Sequence, residues 1–515
     1  MARRTFVLLE IDLGGDVRRY IDRGAAVVTV TSRLGVTYHY ETGAVITALP
    51  NRAADIFGGS ASNAGASVTL YGDSILDLWE VSDRAPAQTV TGRLYWWREG
   101  DAYEDRREIH RGAIRQPTFE FHPGGLHRVS FSLEPPQRRG DIAFPPNTIG
   151  DAGRFPTSAE NARTQPCTVI YGQAKGVPLY ACTNVPPPPA PAVSPVRMMI
   201  AGHQVVAQSV AVRRSAGSLV ANLAVSTAID GLGGVYSYVT VPAATYNAEQ
   251  NLHVTSVLGK PDPKAPTSPI DGLGDVLLDV WHSYSREDFF DLDRSRVYAA
   301  GPRLNRYKIG VAFNERVETG TLFDAMSSRF ADAFPVVFNY TGGRLGWDAT
   351  YLPDDDAATD PVWTLVYDQD AMDRGPVTET SVDEVRHAFL MQFGYDGFEQ
   401  GETQPVTLDE TNFGLARAAL TRYGKAPLFR LRAPDVQDSG AAYVLLTDRA
   451  RARTSVRRRV VYTGLQWEWN DYPLMSVGLV TDPDIGWDVE PFLIESIQPR
   501  LDGFVDVGVV SLRGR

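Results

Sequence analysis

Val460-Val-Tyr-Thr-Gly-Leu-Gln-Trp467 is the sequence that decides the fold of this chain. Its β-branched and aromatic residues predict a strand, and further strand-like segments separated by turns follow it as far as Leu512. The Asp502-Gly503 pair between the last two segments is typical of a tight hairpin turn. The four strands predicted here cover residues 460–467, 476–481, 491–497 and 504–512. We therefore predict a small antiparallel sheet or barrel in this stretch, in which nothing resembles a catalytic motif.

A basic segment precedes this sheet. Residues 441–459 predict a helix, along which Arg449, Arg453 and Arg457 recur every four residues and would form a charged ridge. Such a ridge suits nucleic-acid phosphates, an acidic protein surface or a solvated helix face. The formal net charge of −12 favours the acidic protein surface. The residues that we expect to form subunit contacts are Arg449, Arg453, Arg457, Trp467 and Trp469. For the two tryptophans, an equal alternative is that one ring lies in the barrel core and the other on the surface.

Length and composition limit only broadly the number of domains and the class of protein. The chain has 515 residues, 43% of them hydrophobic, which is the length of three or four ordinary globular domains. No window approaches the ~18–20 continuous apolar residues of a membrane helix, so we predict no membrane-spanning segment. The first ten residues lack the apolar core of a signal peptide and predict a first strand instead. The only cysteines, Cys167 and Cys182, exclude a disulfide-dense scaffold, and we predict that both thiols are reduced.

Prolines and glycines divide the chain. Alternating segments such as Val27–Thr31 predict short strands, and the four prolines at 186–189 predict a semi-rigid polyproline spacer. The predicted domains are a first β-barrel over 1–135, a connector with short strands and a Pro-rich linker over 136–195, a β-rich domain over 196–260, an α+β middle domain over 261–400, and a helix with a C-terminal β-barrel segment over 401–515. The predicted fold class is therefore α+β, dominated by β and multi-domain, with a few amphipathic helices.

The middle region carries the clearest helical patterns. Asp271 is expected to cap a helix with one apolar stripe. The stripe consists of Leu273, Val276, Leu277, Val280 and Trp281. A capping-box-like Thr321-x-x-Asp324 predicts a second helix, and Gly342-Gly343 predicts a hairpin turn after it. A further helix is predicted over 410–423.

No sequence motif points to chemistry. The chain has no Gly-rich phosphate loop and no Gly-x-Ser-x-Gly elbow. His122 and His127 flank a turn, yet a third metal ligand is missing, so exposed turn histidines are the favoured interpretation. Neither Cys167 nor Cys182 lies in a nucleophile motif, and the Asp354–Asp356 run reads as a solvated loop with at most weak cation affinity. We predict no catalytic, cofactor-binding or metal-binding residue and no cofactor.

The order of several segments carries a family resemblance. The segments are Gly92–Trp97, Ile109–Pro117 and Val129–Glu134, then Gln165–Gly172, then Leu322–Phe334 with Gly342–Gly346, and finally the arginine-rich helix, the tryptophan strand and Thr481–Gly486. In this order they resemble the central hub proteins of phage tail tips and baseplates. The chain departs from hubs with an appended peptidase or lysozyme domain, and it lacks the cysteines of tail-tip proteins that hold an iron–sulfur cluster.

The resemblance implies a mechanical, non-enzymatic function. Each copy would contribute two tail-tube-like antiparallel barrels, and a homotrimer would cap the tail tube, adapt its six-fold symmetry to a three-fold tip and anchor tip proteins. The implied partners are further copies of the chain, the distal tail protein ring, the tape-measure protein, tail fibre or tip proteins, and DNA in transit through a channel during genome ejection. The implied location is the tail tip or baseplate of the virion, after assembly in the host cytoplasm.

Two other classes of function remain open at this point. A tail-associated carbohydrate-active enzyme would need a pair of carboxylates in a cleft, and acidic residues are abundant. A receptor-binding or carbohydrate-binding module would need exposed aromatic side chains, for which Trp96, Trp97 and Tyr103 are the candidates.

Overall fold

The structure is a computed structural model. Most of its regular secondary structure consists of β-strands. It describes residues 4–514 apart from 24–25, 56–60, 64, 73–89, 122–126, 135–143, 159, 184–194, 215–216, 244–245, 247–250, 286–291, 316–321, 342–343, 351–360, 398–400 and 513. A closed seven-stranded barrel, two half-barrels and few helices confirm the predicted β-dominated, multi-domain fold class. The polyproline run, His122, Thr321, Gly342-Gly343 and Asp354–Asp356 lie outside the described residues. The predicted domain limits stay a prediction.

The first part of the chain forms the closed barrel. Its strands, together with two short ones that leave it, are β1 Thr5–Asp12, β2 Val17–Asp22, β3 Val28–Thr31, β4 Thr37–Ala48, β5 Arg52–Ala54, β6 Ala61–Asn63, β7 Ala66–Tyr71, β8 Thr91–Arg98, β9 Arg107–Glu120 and β10 Arg128–Glu134. The strand order is β2-β1-β8-β9-β10-β7-β4, and a parallel pairing of β2 with β4 closes it. Among the described strands, β3 pairs only with β4, so it extends the sheet at the rim of the barrel.

The next part forms a half-barrel with a strand pair beside it. The strands are β11 Val169–Tyr171, β12 Gln173–Ala181, β13 Val196–Ala201, β14 Ser209–Arg214, β15 Leu219–Ala224, β16 Ser226–Ile229, β17 Val235–Val241, β18 Leu252–Leu258, β19 Pro261–Asp262 and β20 Ala265–Pro269. Seven of them are ordered β15-β14-β18-β12-β13-β17-β16, and a turn at 231–234 joins β16 to β17. The edge strands β15 and β16 are consecutive in the chain, so one continuous stretch links both edges of the sheet.

Helices and short strands follow. They are α1 Leu273–Tyr284, α2 Arg294–Leu304, β21 Val311–Phe313, α3 Leu322–Phe330, β22 Val336–Thr341 and β23 Arg344–Ala349. The predicted apolar stripe of α1 is buried, and β22 pairs with β23 as the hairpin pattern predicted. The predicted cap is wrong, because Gly272 occupies the N-cap position and Asp271 instead accepts a 2.6 Å hydrogen bond from Lys308.

The last part contains the second half-barrel and a smaller sheet. Its elements are β24 Trp363–Val366, α4 Tyr367–Asp370, β25 Asp373–Arg374, β26 Thr378–Glu379, β27 Phe389–Asp396, β28 Gly401–Leu408, α5 Gly414–Tyr423, β29 Phe429–Ala433, α6 Ser439–Arg453, β30 Arg458–Gln466, β31 Val477–Asp482, β32 Trp487–Pro499 and β33 Phe504–Ser511. The half-barrel has the order β24-β31-β32-β33-β30-β25, and the smaller sheet has the order β28-β27-β29. The four strands predicted in this region are confirmed, whereas the basic helix ends at Arg453, earlier than predicted.

Two buried histidines make the fold sensitive to acid. His110 on β9 bonds to the Leu133 carbonyl at 2.8 Å, and His203 accepts a 2.9 Å hydrogen bond from the Ile170 amide. Burial lowers the pKa of both imidazoles to about 4, below the ordinary value of 6.5. A histidine with a lowered folded-state pKa stabilises the fold above the unfolded-state pKa, and this stability is lost as the pH falls towards the folded-state pKa.

We therefore expect unfolding to become easier between pH 6.5 and pH 4, by about 2 kcal/mol per histidine at pH 5. Denaturant unfolding at pH 7 and pH 5 measures this loss, and His203→Gln should reduce the pH dependence. His39→Gln changes an exposed imidazole on β4 and serves as the control. Equal pH dependence in wild type and His203→Gln would contradict the prediction.

Candidate functional site

The joint between the closed barrel and the C-terminal half-barrel is the main organising feature of the chain. Buried apolar residues of both form one continuous hydrophobic core. Trp96 on β8 is fully buried, its Nε1 donates to the Arg500 carbonyl at 3.0 Å, and its ring stacks on Trp467 at 6.4 Å. The Arg98 guanidinium lies 4.0 Å from the Trp467 ring. Two sheets from opposite ends of the sequence are thus held as one unit.

Hydrogen bonds strengthen the same joint. β5 leaves the first barrel and pairs antiparallel with β32, with Ala53 opposite Ser496. The buried Arg52 donates to the carbonyls of Asn470 and Tyr472, and burial lowers the pKa of its guanidinium to about 9. Buried guanidinium groups persist where carbonyls satisfy their donors, so Arg52 fixes the position of the 467–472 turn.

Arg449, the first residue of the predicted ridge, is 4% exposed and binds within the chain. Its Nε donates to the Ala333 carbonyl at 3.1 Å, and a terminal nitrogen lies 2.8–3.2 Å from the carbonyls of Ala331, Asp332 and Phe334. These carbonyls follow the end of α3, where the helix dipole favours a cation. Burial lowers the pKa of the Arg449 guanidinium to about 10. Arg449 therefore caps α3 and fastens it to α6.

Arg457 is also buried, at 1% exposure. It lies in the turn after α6, and its guanidinium donates to the carbonyls of Arg451 and Ala452 at 3.2 Å and of Ser511 at 3.0 Å, as well as to that of Leu512. It joins the end of α6 to the end of β33. A reversal of its charge thus acts on folding before it acts on assembly.

The prediction of one continuous arginine ridge is wrong, because the helix ends before Arg457. α6 stops at Arg453, so Arg457 is not on the same helix face as Arg449 and Arg453. The Arg453 guanidinium lies 4.4 Å from the centroid of the Phe429 ring, a cation–π distance. Thr454 takes the C-cap position, and the chain enters β30 four residues later.

Trp467 and Trp469 lie on a 3₁₀ turn, Trp467–Asp471, after β30, and each is 7% exposed. The Trp469 ring packs edge-on against Trp363 at 5.6 Å and against Tyr472 at 5.1 Å. The structure places all five predicted contact residues in contacts within the chain. Their role as subunit contacts stays a prediction.

The three aromatic residues that the sequence suggested for sugar binding are buried or covered within the chain. Trp96 lies in the joint, and Trp97 is 4% exposed, stacks on Phe6 at 6.0 Å and donates to the Asp101 carbonyl. Tyr103 is occupied by Arg106, whose guanidinium lies 3.3 Å from its ring centroid. These three side chains do not offer an open stacking platform.

Sequence reasoning missed a buried carboxylate on α6. Asp448 is 1% exposed at its side chain, accepts a 2.7 Å hydrogen bond from the Tyr307 hydroxyl and pairs with Arg306 at 3.1 Å. Burial raises the pKa of the Tyr307 hydroxyl well above its ordinary value. The signal was present in the sequence, because Asp448 follows Leu445 by three residues and so lies on the same face of the helix as a core leucine.

The described residues also bear on metal binding, on the state of the thiols and on membrane insertion. Within them, no group of three or more His, Cys, Asp or Glu side chains is arranged to hold a metal ion. Cys167 and Cys182 are both buried and free, as predicted, and burial raises the pKa of each thiol to about 12. Among the described helices, none has both the length and the apolar character needed to cross a membrane.

Comparison with known proteins gives weak structural similarities. No protein-family model and no curated protein matches the chain. A tail protein from Neisseria meningitidis MC58 is similar with a TM-score of 0.36 and 8% identity, covering 98% of this chain and 96% of that one. The 43 kDa tail protein of prophage MuSo2 from Shewanella oneidensis gives 0.36 and 10%, covering 99% and 98%. A chain of the virion of a native gene transfer agent particle gives 0.41 and 13%, covering 72% and 89%. At these scores the similarities carry no argument about function.

Proposed function

We propose that the chain is a structural virion protein, the hub of a phage tail, which acts as a homotrimeric ring at the tail tip or baseplate. The observation that carries the proposal is the shared core of the closed barrel and the C-terminal half-barrel. Each copy holds the curved sheets of the closed barrel and of the C-terminal half-barrel as one unit. A ring of three copies therefore contains six such sheets. That number suits an adaptor between a six-fold tube and a three-fold tip.

The proposed partners follow from this position. The distal tail ring lies above the trimer, the end of the tape-measure protein lies inside it, and fibre or tip proteins attach outside and below. The order of the sequence segments that resemble hub proteins supports the same arrangement. A net charge of −12 suits a channel through which DNA moves during ejection, because anionic walls do not adsorb phosphates.

The solution mass tests the proposal. We expect light scattering to give three chains of 56.5 kDa, about 170 kDa, and negative-stain images of the same sample to show a ring with a central hole. Purified tails should contain the protein at their tip, visible by antibody labelling. A protein that stays a monomer at every concentration and is absent from purified tails would contradict the hub function.

A catalytic role is tested separately. The hub proposal assigns no catalytic residue, so we expect no release of reducing sugar when the protein is incubated with host envelope material. Release that survives purification to homogeneity would favour the carbohydrate-active alternative instead. Binding of the isolated protein to host cells would favour the receptor-binding alternative.

A further inference from the structure

A cavity of about 600 Å³ lies where three parts of the chain meet. Its walls come from β12 and β21, from the helix α3, and from the small sheet β28-β27-β29. Cavities of this volume between separate parts of a fold are common sites for small ligands, because several elements direct polar groups towards one space. The side chains that reach this cavity therefore indicate what it can bind.

Gln437 offers the cavity an unused hydrogen-bond acceptor. Its Nε2 donates to three main-chain carbonyls at 3.2–3.4 Å, those of Tyr395, Pro434 and Gly310. These bonds fix the orientation of the side-chain amide. Its Oε1 is buried and accepts no hydrogen bond within the described part of the chain. A buried acceptor without a donor costs free energy, and such atoms are rare in native proteins. Gln437 is thus placed to accept a hydrogen bond from a bound N–H or O–H group.

Two ion pairs in the lining are already complete. Asp435, whose side chain is 4% exposed, accepts a 2.7 Å hydrogen bond from Arg329 Nε and a second one from the same guanidinium. Arg432 binds both carboxylate oxygens of Glu402, at 2.7 and 2.8 Å. Bidentate pairs of this kind fix the planes of both groups. The walls are therefore rigid, and these four charges do not call for a charged ligand.

The other polar groups of the lining supply both donors and acceptors. Lys175 carries an ammonium, Glu315 a carboxylate, and Asn314 an amide that both donates and accepts. Three basic and three acidic side chains line the cavity, so its formal charge is zero. Glu315 is exposed, and an ion pair in water contributes little to binding. The lining consequently favours a neutral ligand over an anion, a cation or a zwitterion.

We propose that this cavity binds a neutral saccharide. Each sugar hydroxyl both donates and accepts, which matches the acceptor on Gln437 and the mixed groups on Lys175 and Asn314. Tyr395 is 37% exposed and supplies an aromatic ring against which the carbons of a sugar ring can pack. The volume has room for about one or two sugar rings. Every group named belongs to one copy of the chain, so the inference goes beyond the proposed ring and does not depend on it.

Saturation-transfer NMR of the full chain tests the inference. The probes are glucose, galactose, N-acetylglucosamine and lactose, with the dipeptide alanyl-alanine as a zwitterionic comparison. We expect transfer to at least one sugar, with a Kd of about 1–10 mM, as ligands of this size usually bind a single pocket weakly. We expect no transfer to the dipeptide.

A cavity-filling variant locates the binding site. Ala325 on α3 lines the cavity and is half-buried, so Ala325→Phe places a ring inside it. We expect the Kd for the bound sugar to rise about tenfold or more. Ala418→Phe adds the same ring at an exposed position of α5, away from the cavity lining, and should leave the Kd unchanged. Asn314→Leu removes a polar group from the lining without adding bulk, and it should also raise the Kd about tenfold. Melting temperatures of all three variants confirm that they fold.

The outcomes separate this inference from the hub function. Absence of transfer to every sugar overturns it, and transfer to the dipeptide alone overturns the choice of a saccharide. A sugar Kd that neither Ala325→Phe nor Asn314→Leu changes overturns the site. Each of these results leaves the hub function standing, because solution mass and tail labelling test that function. A protein that binds sugar in this cavity but neither forms trimers nor enters tails would overturn the hub function and keep the saccharide site.

Discussion

Arg457→Glu should prevent the C-terminal half-barrel from folding. The guanidinium of Arg457 is enclosed by the carbonyls of Arg451, Ala452, Ser511 and Leu512. A carboxylate in its place would be a buried anion that faces four carbonyl oxygens with no donor. We expect a loss of about 5 kcal/mol or more, which is comparable to the whole stability of a domain. Soluble yield, circular dichroism and thermal unfolding measure the effect.

Two further variants serve as comparisons for this result, one for the loss of the arginine donors and one for charge reversal at an exposed site. Arg457→Met removes the donors without adding an anion and should cost about 3 kcal/mol. Arg430→Glu reverses the charge of an exposed arginine on β29 and should change stability by at most about 0.5 kcal/mol. An Arg457→Glu protein that folds with the wild-type melting temperature would show that the arginine does not hold α6 to β33.

The arginine residues also show where sequence reasoning reaches its limit. A spacing of four residues predicted one exposed ridge, but periodicity cannot reveal that a helix ends between two members of the series. The carbonyls that Arg449 binds lie 115–118 positions away in the sequence. Their position depends on how α3 packs against α6, and local propensity contains no information on that packing. Buried arginines that bind distant carbonyls are therefore recognised only from the tertiary structure.

Elements with a strong local pattern were predictable. The strands from Arg458 to Ser511 alternate or carry β-branched runs, and α1 has a single apolar stripe, so both were predicted from the sequence. α2 was missed because Gly301 and Pro302 lie inside it, and its packing against β23 and α1 makes that helix favourable. The joint between the two barrels was missed for the same reason, since its members lie hundreds of residues apart.

Trp96→Ala should separate the two barrels. Trp96 is the side chain through which β8 contacts both the Trp467 ring and the Arg500 carbonyl, so its removal leaves a cavity inside the joint. Truncation of a buried tryptophan costs about 3–5 kcal/mol. We expect calorimetry to resolve two transitions where the wild-type unit, sharing one core, unfolds in one. Limited proteolysis should then release the first barrel from the rest of the chain.

Trp97→Ala is the matched control on the adjacent position of the same strand. Trp97 points to the opposite side of β8, into a separate cluster made only of first-barrel residues such as Leu8 and Tyr95. Its removal should destabilise the barrel by a similar amount and leave the two barrels coupled. If both variants split the transition, general weakening of the first barrel explains the result and the joint is not specific to Trp96. If only Trp96→Ala does so, the coupling that the proposed ring requires depends on the contact between Trp96 and Trp467.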